Sequence, residues 1–149
     1  MMAKMKPTRY KVSLRITHPF LDLSFVAAAI GLQPSYIWKT GDKRKTPKGT
    51  ILDGYRDNSY CIIDVKGSSQ SSLRDQVEDL FSRIMPHKHV FDKISCTGGD
   101  ISLYIGWFSS GDSGNGLDLV IIKKMIDLNM SLQINVYCSD CADLHGETA

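Results

Sequence analysis

Arg9-Tyr10-Lys11-Val12-Ser13-Leu14-Arg15-Ile16-Thr17 is the stretch on which the fold turns. Tyr10, Val12, Leu14 and Ile16 alternate with Arg9, Lys11, Ser13, Arg15 and Thr17. A period of two over this length specifies a strand with one face on a core and one wet, basic face. His18-Pro19 ends it. Asp22 is placed to cap a short helix carrying Leu23, Val26, Ala27 and Ile30 at helical spacing, Gly31 stops that helix, and Pro34 bars its continuation.

The unit has an echo. Val12-Ser13-Leu14-Arg15-Ile16 followed by Leu21-Asp22-Leu23 recurs as Ile101-Ser102-Leu103-Tyr104-Ile105 followed by Leu117-Asp118-Leu119. Each instance is a strand, a loop and an Asp-started helix, which reads either as a pseudo-duplicated β–α–β plan or as the chance likeness of amphipathic units.

Between the two instances lies a polar, basic connection over 35–50, then a strand pair at about 50–56 and 59–66 turning at Asp57-Asn58. Ser72 and Asp75 have the spacing of a helix N-cap, and Leu73, Val77, Leu80, Phe81 and Ile84 follow on one helical face as far as Pro86. Residues 90–97 and 101–108 read as a hairpin around Gly98-Gly99. After a glycine-rich loop over 109–116, Leu119, Ile122, Met125 and Ile126 are the expected buried stripe of a helix that Asn129 stops. The last strand, 131–138, alternates Leu132, Ile134, Val136 and Cys138 against polar residues. The expected fold is α+β: a largely antiparallel sheet of about five to six strands with three helices mainly on one face.

At 149 residues, 42% hydrophobic and 23% charged, the chain has the size of one globular domain with its own core. Residues 1–7 and 142–149 are expected to be flexible tails. No apolar run follows the basic start, and no stretch approaches the roughly 20 apolar residues of a membrane span. Four scattered cysteines read as reduced thiols, and the cytoplasm is the expected compartment. Net charge is only +2 but polarised: residues 1–50 set ten basic groups against Asp22 and Asp42, a net +8, whereas residues 51–149 set eight against fourteen acids, a net −6. Such polarity bears on partners rather than on fold.

The chain resembles the bacterial domain of unknown function family numbered 4279. The resemblance rests on the opening strand and helix with the Gly31-Leu32-Gln33-Pro34-Ser35 exit, on Gly41-Asp42-Lys43-Arg44, and on Leu128 through Val136-Tyr137. It departs where the family has a Trp in the second strand region and this chain has Tyr55 and Tyr60. The resemblance implies a compact α+β domain with no catalytic residue to carry over. It also suggests an immunity-like role, since small bacterial domains of this kind are sometimes placed beside toxin genes.

Catalytic spacings are weak. Cys138, Cys141 and His145 offer three zinc ligands where a structural site needs four, unless His87 or His89 completes the set. The loop Gly111-Asp112-Ser113-Gly114-Asn115-Gly116 lacks a phosphate-binding order, and Asp112 and Asp118 would repel a phosphate. No cofactor and no metal is expected. The best candidate is the basic connection, with Trp38, Lys39, Lys43, Arg44, Lys45 and Lys48: cations beside an aromatic suit a carboxylate-rich surface or a phosphate backbone. The favoured reading is a binding domain that recognises an acidic protein partner through this loop. A nucleic-acid or nucleotide-binding module using also Arg9, Lys11 and Arg15 ranks second, and a small enzyme third. A sequence pI of 8.3 stands against nucleic acid, whose dedicated binders usually exceed about 9.

Overall fold

The computed structural model describes residues 8–66 and 71–138, and the expected tails, Cys141 and His145 lie outside them. Strand β1 (Arg9–His18) is central. It pairs antiparallel with β5 (Ser59–Asp64) on one edge and with β6 (Asp100–Ser109) on the other. Outside β5 lies β2 (Tyr36–Trp38), antiparallel to it, and outside β6 lies β7 (Met130–Cys138), parallel to it. The strand order is β2-β5-β1-β6-β7. A separate two-stranded arm pairs β3 (Lys43–Lys45) with β4 (Ile51–Tyr55). The basic connection is therefore structured, and the expected 50–56 and 59–66 strands join different sheets.

The two echoed units are both β–α–β. In the second, β6 and β7 are neighbours joined through α4 (Leu119–Asp127). In the first, β1 and β2 are also parallel, both being antiparallel to β5, which inserts between them across α1 (Ser24–Ile30). With α2 (Leu73–Ile84) and α3 (Lys88–Cys96), four α-helices among the described residues cover the sheet.

Alternation dictates which face they cover. Val12, Leu14 and Ile16 stand opposite Ile105, Leu103 and Ile101 on β6, and Leu14 and Ile16 opposite Ile63 and Cys61 on β5. All are fully buried or nearly so, in one cluster with Val26 and Ile30 of α1, Val77, Leu80, Phe81 and Ile84 of α2, Phe91 and Ile94 of α3 and Ile121 and Met125 of α4. Cys61 is part of this cluster, and burial pushes its thiol up to about 11, so it acts as a small hydrophobe.

Local signals set the helix ends. Ser72 Oγ accepts from Asp75 N at 3.0 Å and starts α2. Asp22 Oδ1 accepts from Ser24 N, while Leu23 takes the N-cap position of α1, and Gly31 closes that helix at φ 71°. Asp118 caps α4 by accepting from Ile121 N at 3.0 Å, and Asn129 follows the helix at φ 52°. With Asp118 also paired to Arg74 at 2.7 Å, the N-terminus of α4 already holds a carboxylate where a phosphate would sit.

The segment read as the first strand of a hairpin is helix α3. Pro86 does not end the helical path; it starts a single 3₁₀ turn (Met85–His87) that redirects the chain from α2 into α3. Phe91 and Ile94 then bury at a spacing of three, and Lys88 pairs with Asp92 one turn on. Of the stripe expected in α4, only Met125 is buried; Ile121 and Leu128 take the inward positions, and Leu119, Ile122 and Ile126 face outward.

The end of α3 is tight against β1. A Cβ on Gly99 would lie 2.6 Å from Ile94 Cγ2, 2.8 Å from His18 Cδ2 and 2.9 Å from the Ile94 carbonyl oxygen. His18 is itself fixed: Nδ1 accepts from the Phe20 and Leu21 amides, so Nε2 carries the proton toward Thr97 Oγ1 at 2.7 Å. Two core changes of opposite kind follow. Leu80→Ala, which empties a fully buried site, is expected to cost about 2–5 kcal/mol in denaturant unfolding. Gly99→Ala, which overfills one against backbone, is expected to cost about 1–3 kcal/mol or more. A loss under about 1 kcal/mol at either position would contradict this packing.

Candidate functional site

The four described helices pack on one side, and among the described residues the side chains of the other sheet face satisfy one another. Its side chains run in cross-strand rows: Trp38, Tyr60 and Thr17; Tyr36, Ile62, Arg15 and Ser102; Asp64, Ser13, Tyr104 and Gln133; Arg9, Phe108 and Tyr137. The polar half of the β1 alternation thus falls among aromatic rings.

The rings and cations pack on one another. Trp38 stacks on Tyr60 at 4.6 Å between centroids, and the Arg56 guanidinium lies 3.8 Å over Trp38. Arg15 lies 3.7 Å over Tyr104, Arg9 lies 4.6 Å over Phe108, and Phe108 stacks on Tyr137 at 4.7 Å. Room for the last stack comes from Gly106, where a Cβ would meet the Phe108 ring at 3.3 Å. Burial raises the Tyr104 pKa, and its hydroxyl shares a hydrogen bond with Tyr137 Oη, 2.9 Å away. Guanidinium-on-ring contacts of this kind are worth about 0.5–2 kcal/mol each, more as water is excluded.

Asp64 is the carboxylate at the centre of this face. Ser13 Oγ donates to Oδ1 at 2.6 Å, Ser35 Oγ donates to Oδ2, and Lys11 Nζ stands 3.6 Å away. Burial alone would raise its pKa; the two hydroxyls and the ammonium outweigh that and hold it below the ordinary 3.8. Asp64 thereby joins β1, β5 and the entry to β2.

The arm stands over the β2 edge and encloses a cleft of about 1000 Å³, lined by Tyr36, Ile37, Trp38, Lys43, Lys45, Leu52, Arg56 and Tyr60 among others. A two-stranded ribbon is marginal alone. Arg56 ties it down: its amide donates to the Asp42 carbonyl, its carbonyl accepts from Gly41 N, and Nη2 donates to the Lys45 carbonyl at 2.9 Å. A second hollow of about 270 Å³, around Arg15, Asp64 and Tyr104, shares Ser35, Tyr36 and Ile62 with the cleft and continues it across the sheet.

Of the residues singled out in the sequence, Trp38, Lys43 and Lys45 line this cleft. Lys43 Nζ lies 4.9 Å from the Tyr55 ring centre, and Arg44 reaches the Asp53 carbonyl at 3.3 Å. Lys39 hydrogen-bonds through its amide to Asp42, and Lys48 is exposed in the turn between β3 and β4. Trp38 is neither core nor free, being half-buried between Tyr60 and Arg56. Sequence reasoning missed Arg56, Tyr36, Tyr60 and Asp64, which lie apart in the chain and meet only through strand order. The alternation of β1 did point to Arg9, Lys11 and Arg15.

The Nε atoms of Arg15 and Arg56 and Nε1 of Trp38 are buried side-chain donors with no acceptor among the described residues. All three sit around this one continuous hollow, and a buried donor left unsatisfied costs about 1–3 kcal/mol. Among the described residues no three His, Cys, Asp or Glu side chains gather as a metal site would require.

The depressed Asp64 carboxyl has a measurable consequence. A folded-state pKa below the unfolded value gives stability that is present above about pH 4 and lost as pH falls through the folded value. Asp64→Asn is expected to be less stable than the parent at pH 7, with the gap narrowing on acidification below about pH 4. A gap that stayed constant from pH 7 to about pH 2.5 would contradict the assignment.

Comparison with curated proteins finds no match, and neither does comparison with solved structures. The model of one family, described as Domain of unknown function (DUF4279), matches residues 8–139, which takes in the whole sheet, the four helices and the arm. By that match the chain belongs to the DUF4279 family.

Proposed function

We infer that this protein is a binding module that captures an acidic, partly apolar segment of a partner protein between its open sheet face and the β3–β4 arm. The observation that carries this reading is the convergence of three unsatisfied N–H donors on one hollow. Carboxylates of a partner, drawing Arg15 and Arg56 outward by small rotations, would supply acceptors that the described residues lack. Lys43 and Lys45 add positive field from the arm side.

The exposed apolar residues favour a protein over a nucleic acid. Ile37 and Leu52 line the cleft and are partly exposed, and Ile51 and Tyr55 of the same arm strand as Leu52 are about two-thirds exposed. Aliphatic side chains have no role on a phosphate backbone but form the middle of protein interfaces. The rings that could stack on bases are already engaged: Trp38 by Tyr60 and Arg56, Phe108 by Tyr137 and Arg9. The reading also disfavours an enzyme, since Asp64, the carboxylate at hand, is saturated by Ser13, Ser35 and Lys11. In an immunity-like setting the captured segment would belong to a toxin in the cytoplasm.

Trp38 lies in the cleft and Trp107 on the helix-covered side, so Trp107→Phe leaves one local fluorescent reporter. Titration of that variant with a peptide alternating Glu with Leu and Phe is expected to shift Trp38 emission. Charge reversal of Lys43, Arg44 and Lys45 to Glu should weaken binding about tenfold or more, chiefly through slower association, while changing stability by about half a kcal/mol or less. Duplex or single-stranded nucleic acid bound tighter than about 1 μM at physiological salt would overturn the reading, because non-specific phosphate contacts alone give about 10⁻⁴ to 10⁻⁶ M.

A further inference from the structure

Strand β7 ends the sheet in an unusual way. It runs nine residues in unbroken register with β6, and among the described residues no strand pairs with the outer edge of Met130 through Tyr137. Natural sheets protect such an edge with a short strand, a bulge, a proline or a charge, usually Lys. The opposite edge follows the rule: β2 has three residues, is followed by Lys39 and is overhung by the arm. Met130-Ser131-Leu132-Gln133-Ile134-Asn135-Val136-Tyr137-Cys138 contains no charge and no proline.

Its helix-side face is also uncovered. Leu132 and Ile134 are almost half exposed and Val136 two-thirds exposed. Leu132 and Ile134 line an apolar groove of about 480 Å³ whose other walls include Trp107 and the outward-facing Ile122 and Ile126 of α4.

We propose that a second copy of this chain pairs antiparallel with β7 about a two-fold axis through Ile134, forming a continuous ten-stranded sheet. The strand is self-complementary in that register. Leu132 falls opposite Val136 of the second copy and Ile134 opposite its counterpart, while Gln133 meets Asn135 and Ser131 meets Tyr137 on the other face. Apolar residues meet apolar ones, polar residues meet polar ones, and no charge is buried. An isologous contact requires such self-matching, and a foreign strand would not. At about 3.3 Å per residue the edge is about 30 Å long, and with the groove beside it the strip suits a standard interface of about 800 Å² a side.

Residues 139–149 are a poorer match for this edge, holding Leu144 as their one large aliphatic side chain beside Asp140, Asp143 and Glu147.

The test is the mass of the full chain by light scattering and sedimentation from about 1 to about 100 μM, beside Ile134→Lys and Val136→Lys. The expected result is twice the chain mass of 16.6 kDa for the parent, and a dissociation constant raised about a hundredfold or more in either variant with an unchanged circular dichroism spectrum. A spin label at Gln133 should report a second label within about 10 Å in the parent background, since its symmetry mate lies diagonally across the new pair. A parent monomeric throughout would overturn the proposal, as would a dimer untouched by both lysines. So would a parent that dimerises only after removal of residues 1–7 or 139–149. The cleft of the opposite edge plays no part in this contact, so loss of peptide binding there would leave the mass unchanged.

Discussion

Strand β1 is hydrogen-bonded on both edges, to β5 and to β6, and its side chains alternate between two unlike environments. Val12, Leu14 and Ile16 enter a core that four helices close. Lys11, Ser13 and Arg15 enter a face that no helix among the described residues closes. A sheet covered on one side only leaves its second face to be solved by side chains alone, and here it is solved by stacking cations on rings and by saturating Asp64. Ser13 and Tyr104 are consequently as buried as core residues although they point away from the core.

The polarity of the sequence acquires a location in this arrangement. The excess of cations in residues 1–50 is spent on the open face and the arm, through Arg9, Lys11, Arg15, Lys43 and Lys45. Among the acids after residue 50, Asp75, Glu78, Asp79, Asp92 and Asp127 lie on the helices. There Arg74–Glu78, Arg83–Asp79 and Lys88–Asp92 form pairs one turn apart that add little individually. A modest net charge thus conceals a molecule with a cationic side.

The elements legible in the sequence were those whose pattern is local. The period of β1, the Ser72 cap with its helical face, and the Asn129 stop each depend on a few adjacent residues, and each stands in the structure. Helix α3 was not legible because nine residues with two buried positions fit either period, and because a proline marked a redirection rather than an end. The stripe of α4 was misread for a different reason. In Leu119–Asp127 apolar residues occupy most of the circumference, so periodicity could not select the inward side. The candidate site was half legible: Trp38 and the arm lysines stand out by composition, whereas Arg56, Tyr60 and Asp64 join them only through the pairing of β5 with β1 and β2. The excess of apolar surface on α4 and β7, which looked like core in the sequence, faces outward instead.

The two edges of the sheet therefore differ in kind. At the β2 edge, a short strand, a charged arm and an occupied set of rings make a surface that can accept acidic groups but resists simple strand addition. At the β7 edge, nine neutral residues with an apolar border have the chemistry that strand addition requires and carry no charge. A two-fold axis relating identical residues across paired strands must run perpendicular to the sheet, because paired residues project to the same face. Such an axis carries both open faces to the same side of a ten-stranded sheet, with one cleft toward each end. Two modest sites held rigidly on one surface act through effective concentration, so a partner presenting two acidic segments, or itself dimeric, would be held more tightly than either cleft alone could manage.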